Sequence, residues 1–385
     1  MKQLIFSQLI NKVFCALLIF HAGCNTPSSH ARLKDSLEAK LDSLVPQLLT
    51  KTKVPGISIA VLRNGQVELV KGYGFADKSN YTPVTAATRF QIGSVSKTIT
   101  AAAIIKLAED GKIKLDDPVE NYLKSWHLPQ SKYENDKITI RMILSHTAGL
   151  SVAGYHGVYK PGDQLPSLME SLNGYTGSDG GLQIINDPGN SFKYSSGGYT
   201  LLQLLIQDVT GISFAEYVQQ KIFDPLRMKN TTYEWSTELA EVVATPYNED
   251  GNPWPHYQFV ESASGGVYTT AADLAKFLSI FFHQSRPDNF IQQESIHQMI
   301  IPVNGTEGKY GLGCKIFPIN KKQEVVMHDG ANEGWRAAYY IHPPTGDGIV
   351  MLINSDMGGK MGAPIICTVF KRTQVDFSDL CNQLK

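Results

Sequence analysis

The chain has 385 residues, of which 42% are hydrophobic and 18% are charged, so it is long enough for a large folded domain with one or two subdomains. Its 35 basic and 36 acidic side chains leave a formal net charge of −1. This balance provides no broad basic surface, so we expect no nucleic-acid partner.

The first 23 residues differ from the rest of the chain. Lys2 and Lys12 accompany an apolar stretch that ends in Ala22-Gly23-Cys24. About a dozen apolar residues run unbroken, fewer than the ~20 that span a bilayer, so we interpret residues 1–23 as a secretory signal peptide. The small residues before Cys24 resemble a bacterial lipoprotein cleavage site. They predict an exported protein of the cell envelope, anchored to the membrane through lipid on Cys24 and facing the periplasm.

The folded domain is predicted to begin after a tether over residues 24–37 and to occupy residues 38–385. Its first element is an amphipathic helix, because leucines recur at helical spacing at positions 33, 37, 41, 44 and 48. Two strand-like runs follow, GISIAVL and QVELVKGYG. The Asn64-Gly65 pair between them is a strong signal for a β-hairpin.

Strand-like runs return only near the C-terminus, as RAAYYIH and GIVMLIN. The intervening segment, from about residue 95 to about residue 300, is predicted to be helices and loops. We therefore expect an α+β fold. Its N- and C-terminal strands would pair in one antiparallel sheet flanked by helices, with a mostly helical subdomain inserted between them.

Three cysteines remain once the signal is removed and Cys24 is lipidated, namely Cys314, Cys367 and Cys381. They show no CxxC pair and no metal-ligand spacing. We interpret them mainly as core residues, and a disulfide among them stays open.

Ser94 and Lys97 lie three residues apart in FQIGSVSKTITAAAIIKLAEDG, where a loop meets an apolar helix. One interpretation is a helix start, with Ser94 or Ser96 as the cap and Lys97 in solvent. The other is a nucleophile and its base, since residues i and i+3 share a helix face. A lysine of ordinary pKa is protonated at pH 7, so the second interpretation requires burial to lower the pKa of Lys97.

Further segments accompany this motif along the chain: ILSHTAGL, PGNSFKYSSGGYTLLQLL, IFDPLRMKNTTY, SGGVYTTAADLAKFL, YGLG and MHDGANEGW. Together they resemble the penicillin-recognising serine hydrolases of the class C β-lactamase type, and within them the CubicO-type group of peptidases and esterases. The resemblance implies a β-lactamase/transpeptidase-like fold, an acyl-enzyme mechanism and no cofactor or metal. It assigns the nucleophile to Ser94 and its partner base to Lys97.

The family's Tyr-x-Asn motif falls on Tyr194-Ser195-Ser196. By resemblance Tyr194 shares a proton with Lys97 and passes it to the leaving group, whereas its plain interpretation is a core tyrosine. Ser196 stands in place of the asparagine that holds the substrate amide. A hydroxyl cannot offer the same donor–acceptor pair, so we expect good ester turnover and weak β-lactam hydrolysis.

The family's third motif falls on His328-Asp329-Gly330. By resemblance His328 would line the cleft, orient Tyr194 or meet a substrate carboxylate when protonated; its plain interpretation is a structural histidine. The backbone N–H of Ala331, after Gly330, would be the second oxyanion donor beside that of Ser94. We interpret His146 and Gly265-Gly266 as loop and packing features near the cleft.

The predicted function is an exported serine hydrolase that acts through an acyl-enzyme on small esters or D-amino-acid peptides, and weakly on β-lactams. The substrate would be a small molecule or peptide, which the loops 151–187 and 245–262 do not identify. The alternative is a non-catalytic, penicillin-binding-like envelope sensor or binding protein. Neither the G-x-S-x-G of α/β-hydrolases nor the HExxH of metallohydrolases occurs in the sequence. The oligomeric state is not predicted.

Overall fold

The computed structural model describes residues 36–175, 180–282, 290–320, 323–371, 373 and 375–384. The predicted signal peptide and Cys24 therefore lie outside the described residues, as does nearly all of the predicted tether. Within the described part of the chain, no helix has the length and apolar character needed to cross a bilayer.

A seven-stranded antiparallel sheet is the frame of the fold, with strand order β3-β2-β1-β9-β8-β7-β6, and β4 and β5 form a separate two-stranded pair. The strands are β1 (Gly56–Arg63), β2 (Gln66–Asp77), β3 (Thr82–Pro83), β4 (Phe90–Gln91), β5 (Tyr268–Thr269), β6 (Lys315–Asn320), β7 (Gln323–Asn332), β8 (Trp335–His342) and β9 (Asp347–Ile353).

The predicted hairpin and the predicted pairing of the two ends of the chain are both confirmed. Asn64 and Gly65 connect β1 to β2 with φ angles of 49° and 75°, the left-handed conformation that a tight hairpin turn needs at both positions. Strand β1 then pairs antiparallel with β9, in a register that sets Ile57 opposite Ile353. Strands from opposite ends of the domain therefore lie side by side in the middle of the sheet.

Helices cover both faces of this sheet. They are α1 (Leu37–Thr52), α2 (Ser96–Glu109), α3 (Ile140–Leu144), α4 (Leu168–Leu172), α5 (Ser196–Thr210), α6 (Phe214–Val218), α7 (Thr237–Val242), α8 (Ser262–Gly265), α9 (Ala271–Leu278), α10 (Gln293–Met299), α11 (Gly362–Phe370) and α12 (Ser378–Gln383).

A hydrophobic core lies between the sheet and the helices on each of its two faces. The larger lies between the inner face of the sheet and the inserted, mostly helical region, and the smaller lies between the outer face and α1, α11 and α12. Helix α2 runs through the larger core, and all its residues from Ser96 to Ile105 are buried. Its alanines and isoleucines allow close packing on every side, so this helix is central rather than amphipathic.

Strands β6 and β7 are not among the predicted strands, because the strand-like runs near the C-terminus are only RAAYYIH and GIVMLIN. β6 alternates buried and exposed residues and contains Pro318, so it lacks the continuous apolar run of the central strands. The disulfide that the sequence left open is present, since Cys367 of α11 and Cys381 of α12 are bonded, while Cys314 is a free, buried thiol as the core interpretation expects.

Candidate active site

Ser94 and Lys97 meet where a short 3-10 turn, Gly93–Val95, continues into α2. The Nζ atom of Lys97 lies 3.2 Å from the Oγ atom of the half-buried Ser94. The same Nζ donates to the backbone carbonyl of Ser264 at 2.7 Å. No side chain caps this helix start, and Lys97 is fully buried, so the interpretation as a cap with a solvated lysine is wrong.

The environment of Lys97 favours its neutral form. Burial lowers the pKa of its amine from 10.5 to about 7. Among the described residues, no carboxylate forms an ion pair with it. Its other close neighbours are the rings of Tyr194 and Tyr199, whose centroids lie 5.1 and 5.6 Å from Nζ. A buried amine with a pKa near neutrality can accept the proton of the Ser94 hydroxyl.

Tyr194 precedes α5 and contacts the Ser94 hydroxyl. Burial raises the pKa of this phenol further above its ordinary value of 10, despite the opposing effect of the Ser94 contact. Tyr194 is therefore a protonated phenol at neutral pH, which makes it able to donate a proton. Of the two groups that face Ser94, Lys97 is the one able to serve as the base.

His146, interpreted from the sequence as a loop and packing feature near the cleft, packs against Tyr194 and holds it in place. Its ring lies against that of Tyr194, with centroids 4.2 Å apart. Its Nδ1 atom accepts the backbone N–H of Ser195 at 3.1 Å, and its carbonyl accepts the N–H of Lys193 at 2.7 Å. Burial keeps the pKa of His146 well below 6.5, so the ring is neutral. His146 thus fixes the backbone on both sides of Tyr194.

The backbones of Ser94 and Ala331 approach closely because two glycines separate them. A Cβ atom added to Gly330 would lie 2.0 Å from the carbonyl oxygen of Ile92 and 2.9 Å from the amide nitrogen of Ser94. A Cβ atom added to Gly93, whose φ is +49°, would lie 2.7 Å from the amide nitrogen of Ala331. The amides of Ser94 and Ala331 therefore border the same small space, as two oxyanion donors must.

His328 lies in β7 and is only 1% exposed. Its Nδ1 atom donates to the carbonyl of Asp329 at 2.7 Å, which leaves Nε2 to accept the hydroxyl of Tyr310 at 3.0 Å. Burial lowers the pKa of His328 to about 3. A neutral ring with both nitrogens occupied does not fit the expected contact with a substrate carboxylate. Its position supports Tyr310, whose ring in turn packs against His146 at 4.9 Å.

Ser196, the first residue of α5, is 4% exposed. Its hydroxyl donates to the carbonyl of Ala153 at 2.8 Å. The side chain is thus engaged with the loop that follows His146. This geometry leaves Ser196 no free hydroxyl donor at the position where the family's asparagine holds the substrate amide.

Asn332 is a site residue that the sequence analysis missed. Its Nδ2 atom donates to Oε1 of Gln91 at 2.7 Å and to the carbonyl of Gly265 at 3.1 Å. These bonds tie the end of β7 to α8, which supplies the Ser264 carbonyl to Lys97. Within the described ranges, no group of three His, Cys, Asp or Glu side chains is arranged to hold a metal ion.

The pH dependence of turnover tests the assignment of Lys97. Because the deprotonated amine is the base and burial places its pKa at about 7, kcat/KM for a small ester should rise with pH through a midpoint near 7. Lys97→Arg should lower kcat/KM by roughly 10²–10⁴ and abolish the rise, since arginine keeps its proton. The matched control is Lys106→Arg, at a lysine of the same helix that pairs with Asp110 at 2.8 Å. Near wild-type rates in Lys97→Arg would show that only its charge is needed.

The approach of β7 to Ser94 is tested by adding a methyl group at Gly330. Gly330→Ala should lower kcat/KM by roughly 10²–10³, the size of a lost oxyanion donor, because the new Cβ atom pushes the two amides apart. Gly265→Ala is the matched control, since its Cβ atom would meet its nearest neighbour at 3.6 Å, an ordinary contact. Steady-state kinetics on both variants, with circular dichroism to verify folding, decides this. Undiminished turnover in folded Gly330→Ala would contradict the assignment.

Comparisons with known proteins show which family the chain resembles. The sequence model of the Beta-lactamase family matches residues 41–364. The chain is 28% identical over 333 residues to Protein flp of Staphylococcus aureus strain MW2, a match that covers 84% of this chain and 64% of that protein. The chain thus spans slightly less than two thirds of this relative's length.

Two solved structures share the fold. The octameric penicillin-binding protein homologue from Pyrococcus abyssi is 28% identical with a TM-score of 0.69, and the match covers 86% of this chain and 77% of that one. The β-lactamase/D-alanine carboxypeptidase from Pseudomonas syringae is 20% identical with a TM-score of 0.71, covering 88% and 99%. Since the family model covers most of the chain and the fold agrees, the protein belongs to the β-lactamase family of transpeptidase-like serine hydrolases.

Proposed function

We propose that this protein is an exported serine hydrolase that cleaves ester or amide substrates through an acyl-enzyme. The observation that carries the proposal is the buried Lys97 amine, 3.2 Å from the Ser94 hydroxyl and with its pKa lowered to about 7. A lysine that served only the fold would gain nothing from burial without a carboxylate partner, because uncompensated burial of a charge is costly.

In the acylation step, neutral Lys97 takes the proton of Ser94 while Oγ attacks the carbonyl carbon of the substrate. The carbonyl oxygen becomes negative and is held by the backbone N–H groups of Ser94 and Ala331. The tetrahedral intermediate then collapses, and the bond to the leaving group breaks. Tyr194 donates its proton to the leaving group and recovers one from the Lys97 ammonium.

Deacylation reverses these roles with water as the nucleophile. Neutral Lys97 accepts a proton from water, and the hydroxide attacks the ester carbonyl of acylated Ser94. The same two N–H groups hold the second oxyanion. Ser94 leaves with the proton, the acid product departs, and the free enzyme is restored without any external reactant other than water.

The substrate preference that we propose favours esters over β-lactams. The position of the motif's asparagine holds Ser196, whose hydroxyl already donates to Ala153. A β-lactam with an acylamino group then lacks an oriented hydrogen bond worth ~0.5–1.5 kcal/mol. The similar proteins leave this choice open, since they include a penicillin-binding protein homologue as well as a β-lactamase/D-alanine carboxypeptidase.

The alternative is a non-catalytic sensor of the same fold, which covalent labelling distinguishes. A fluorophosphonate probe should label the wild type, and Ser94→Ala should lose both the label and turnover of 4-nitrophenyl acetate. Ser96→Ala is the matched control, because the Ser96 hydroxyl is buried and accepts from the N–H of Val267 at 3.3 Å. A chromogenic cephalosporin should be cleaved much more slowly than the ester. Absence of labelling in folded wild-type protein would favour the sensor.

Export to the cell envelope is the second part of the proposal. The Cys367–Cys381 disulfide supports it, because such bonds persist in oxidising compartments outside the cytoplasm. Anchoring through Cys24 follows from the sequence alone. Mass spectrometry of the mature protein should find Cys24 as the first residue, carrying lipid, and Cys367 linked to Cys381. Cleavage at another position, or an unmodified Cys24, would reject the anchor.

A further inference from the structure

The segment from Ala153 to Gly157 joins two sides of the candidate active site, and we call it the strap. At its start, the carbonyl of Ala153 accepts the hydroxyl of Ser196, which lies two residues after Tyr194, at 2.8 Å. At its end, the N–H of Gly157 donates to Oε1 of Glu333 at 3.0 Å. Glu333 directly follows β7, the strand that carries the second oxyanion donor. The strap therefore runs from the second motif to the far end of that strand.

Further contacts hold the middle and the end of the strap. The hydroxyl of Tyr155 lies 2.9 Å from that of Thr200, one turn into α5. Gly157 packs directly under the ring of Tyr257, with which a Cβ atom added to Gly157 would collide. The strap is thus fixed at its start, middle and end, and its position relative to the site is well determined.

Strand β7 separates the two directions in which a substrate can extend from the nucleophile. Near the middle of the strand, His328 is linked to Tyr194 through Tyr310 and His146. Four residues further on, or about 13 Å along the strand, Asn332 donates to the last carbonyl of α8 at 3.1 Å. The leaving group takes its proton from Tyr194, so it lies towards the first of these points. The acyl group lies towards the second.

The strap crosses this acyl side within a closed circuit of contacts. Gly265, the last residue of α8, lies against the nucleophile turn, since a Cβ atom added to it would be 3.7 Å from the carbonyl carbon of Gly93. The other members of the circuit follow by the contacts given above: Asn332, Glu333, the strap, Ser196, Tyr194 and Ser94. Glu333 is only two residues, about 7 Å of strand, beyond the donor Ala331. An acyl group of more than a few carbon atoms therefore meets the strap.

We propose that the strap limits the acyl group of the substrate to a short one, and that Glu333 determines this specificity by holding the strap closed. This inference rests on the proposed acyl-enzyme function and specifies its substrate class. A hydrogen bond to a carboxylate is about twice as strong as one between neutral groups. The bond from Gly157 to Glu333 is therefore the contact whose loss should open the strap most.

The first test compares kcat/KM for 4-nitrophenyl hexanoate and 4-nitrophenyl acetate. The wild type should prefer acetate by at least roughly tenfold. Glu333→Ala should raise the hexanoate-to-acetate ratio by roughly tenfold or more, because it removes a hydrogen bond to a charged group, and should keep the acetate rate within about threefold. Glu333→Gln still offers an acceptor to Gly157 and should keep most of the preference. The matched control is Glu324→Ala, at an exposed carboxylate of the same strand, which should leave the ratio unchanged.

The second variant opens the strap from its other contact. In Gly157→Ala the new methyl group collides with the ring of Tyr257 and should displace the end of the strap, so the hexanoate-to-acetate ratio should again rise. Gly359→Ala is the control for adding a methyl group, because a Cβ atom there meets nothing within 4 Å. Circular dichroism verifies that each variant is folded.

Measurements on Ser94→Ala separate this inference from the proposed function. Hydrogen exchange of the Gly157 amide should be slow in Ser94→Ala, and adding Glu333→Ala should accelerate it by roughly tenfold or more. By calorimetry, hexanoate should bind Ser94→Ala measurably only when Glu333→Ala is added. If both hold while the wild type cleaves no ester, the strap assignment stands and the hydrolase proposal fails. If the wild type cleaves esters but prefers hexanoate, or if Glu333→Ala and Gly157→Ala both leave the ratio unchanged, the strap assignment is overturned.

Discussion

The site depends on one energetic constraint, the burial of the Lys97 amine without a carboxylate partner among the described residues. An ammonium in that position would lose its hydration and gain only the Ser264 carbonyl and two aromatic faces. The neutral amine avoids this cost, and the result is a base beside the nucleophile at ordinary pH. Burial requires apolar packing on all sides of α2, which is why an alanine- and isoleucine-rich helix occupies the centre of the larger core.

The remaining parts of the site are fixed relative to this lysine by the two layers that enclose it. From the sheet, β7 brings Gly330 against Gly93, so the amides of Ala331 and Ser94 border one space. From the helical region, His146 accepts hydrogen bonds from the backbone on both sides of Tyr194. Tyr310 packs against His146 and donates to His328 of β7, so it links the two histidines. The antiparallel pairing of β1 with β9 holds the sheet itself together, because it joins strands from opposite ends of the chain.

Local patterns predicted the parts of this arrangement that depend on neighbours in sequence. The Asn64-Gly65 turn and the three-residue spacing of Ser94 and Lys97 involve only residues close together in sequence, and the structure shows both as expected. The sequence indicated a packing role for His146 near the cleft but not its partner, since Tyr194 lies 48 residues further along the chain and the contact depends on ring packing and a left-handed backbone with φ of 59°. The sequence could not decide whether His328 lines the cleft or is a structural histidine, because its burial depends on the contact with Tyr310. The strap is likewise not visible in the sequence, since its two ends meet Ser196 and Glu333 only in the folded chain.

Direct titration of Lys97 tests this account most sharply. Protein with ¹⁵N-labelled lysine side chains can be followed by NMR across a pH range, with the Lys97 signal assigned by its absence in Lys97→Arg. The account predicts that the Nζ resonance titrates with a midpoint near 7, several units below the solvent-exposed lysines, because burial destabilises the ammonium. A midpoint near 10.4, the ordinary lysine value, would contradict it, since Lys97 would then be a cation at neutral pH and Ser94 would lack its base.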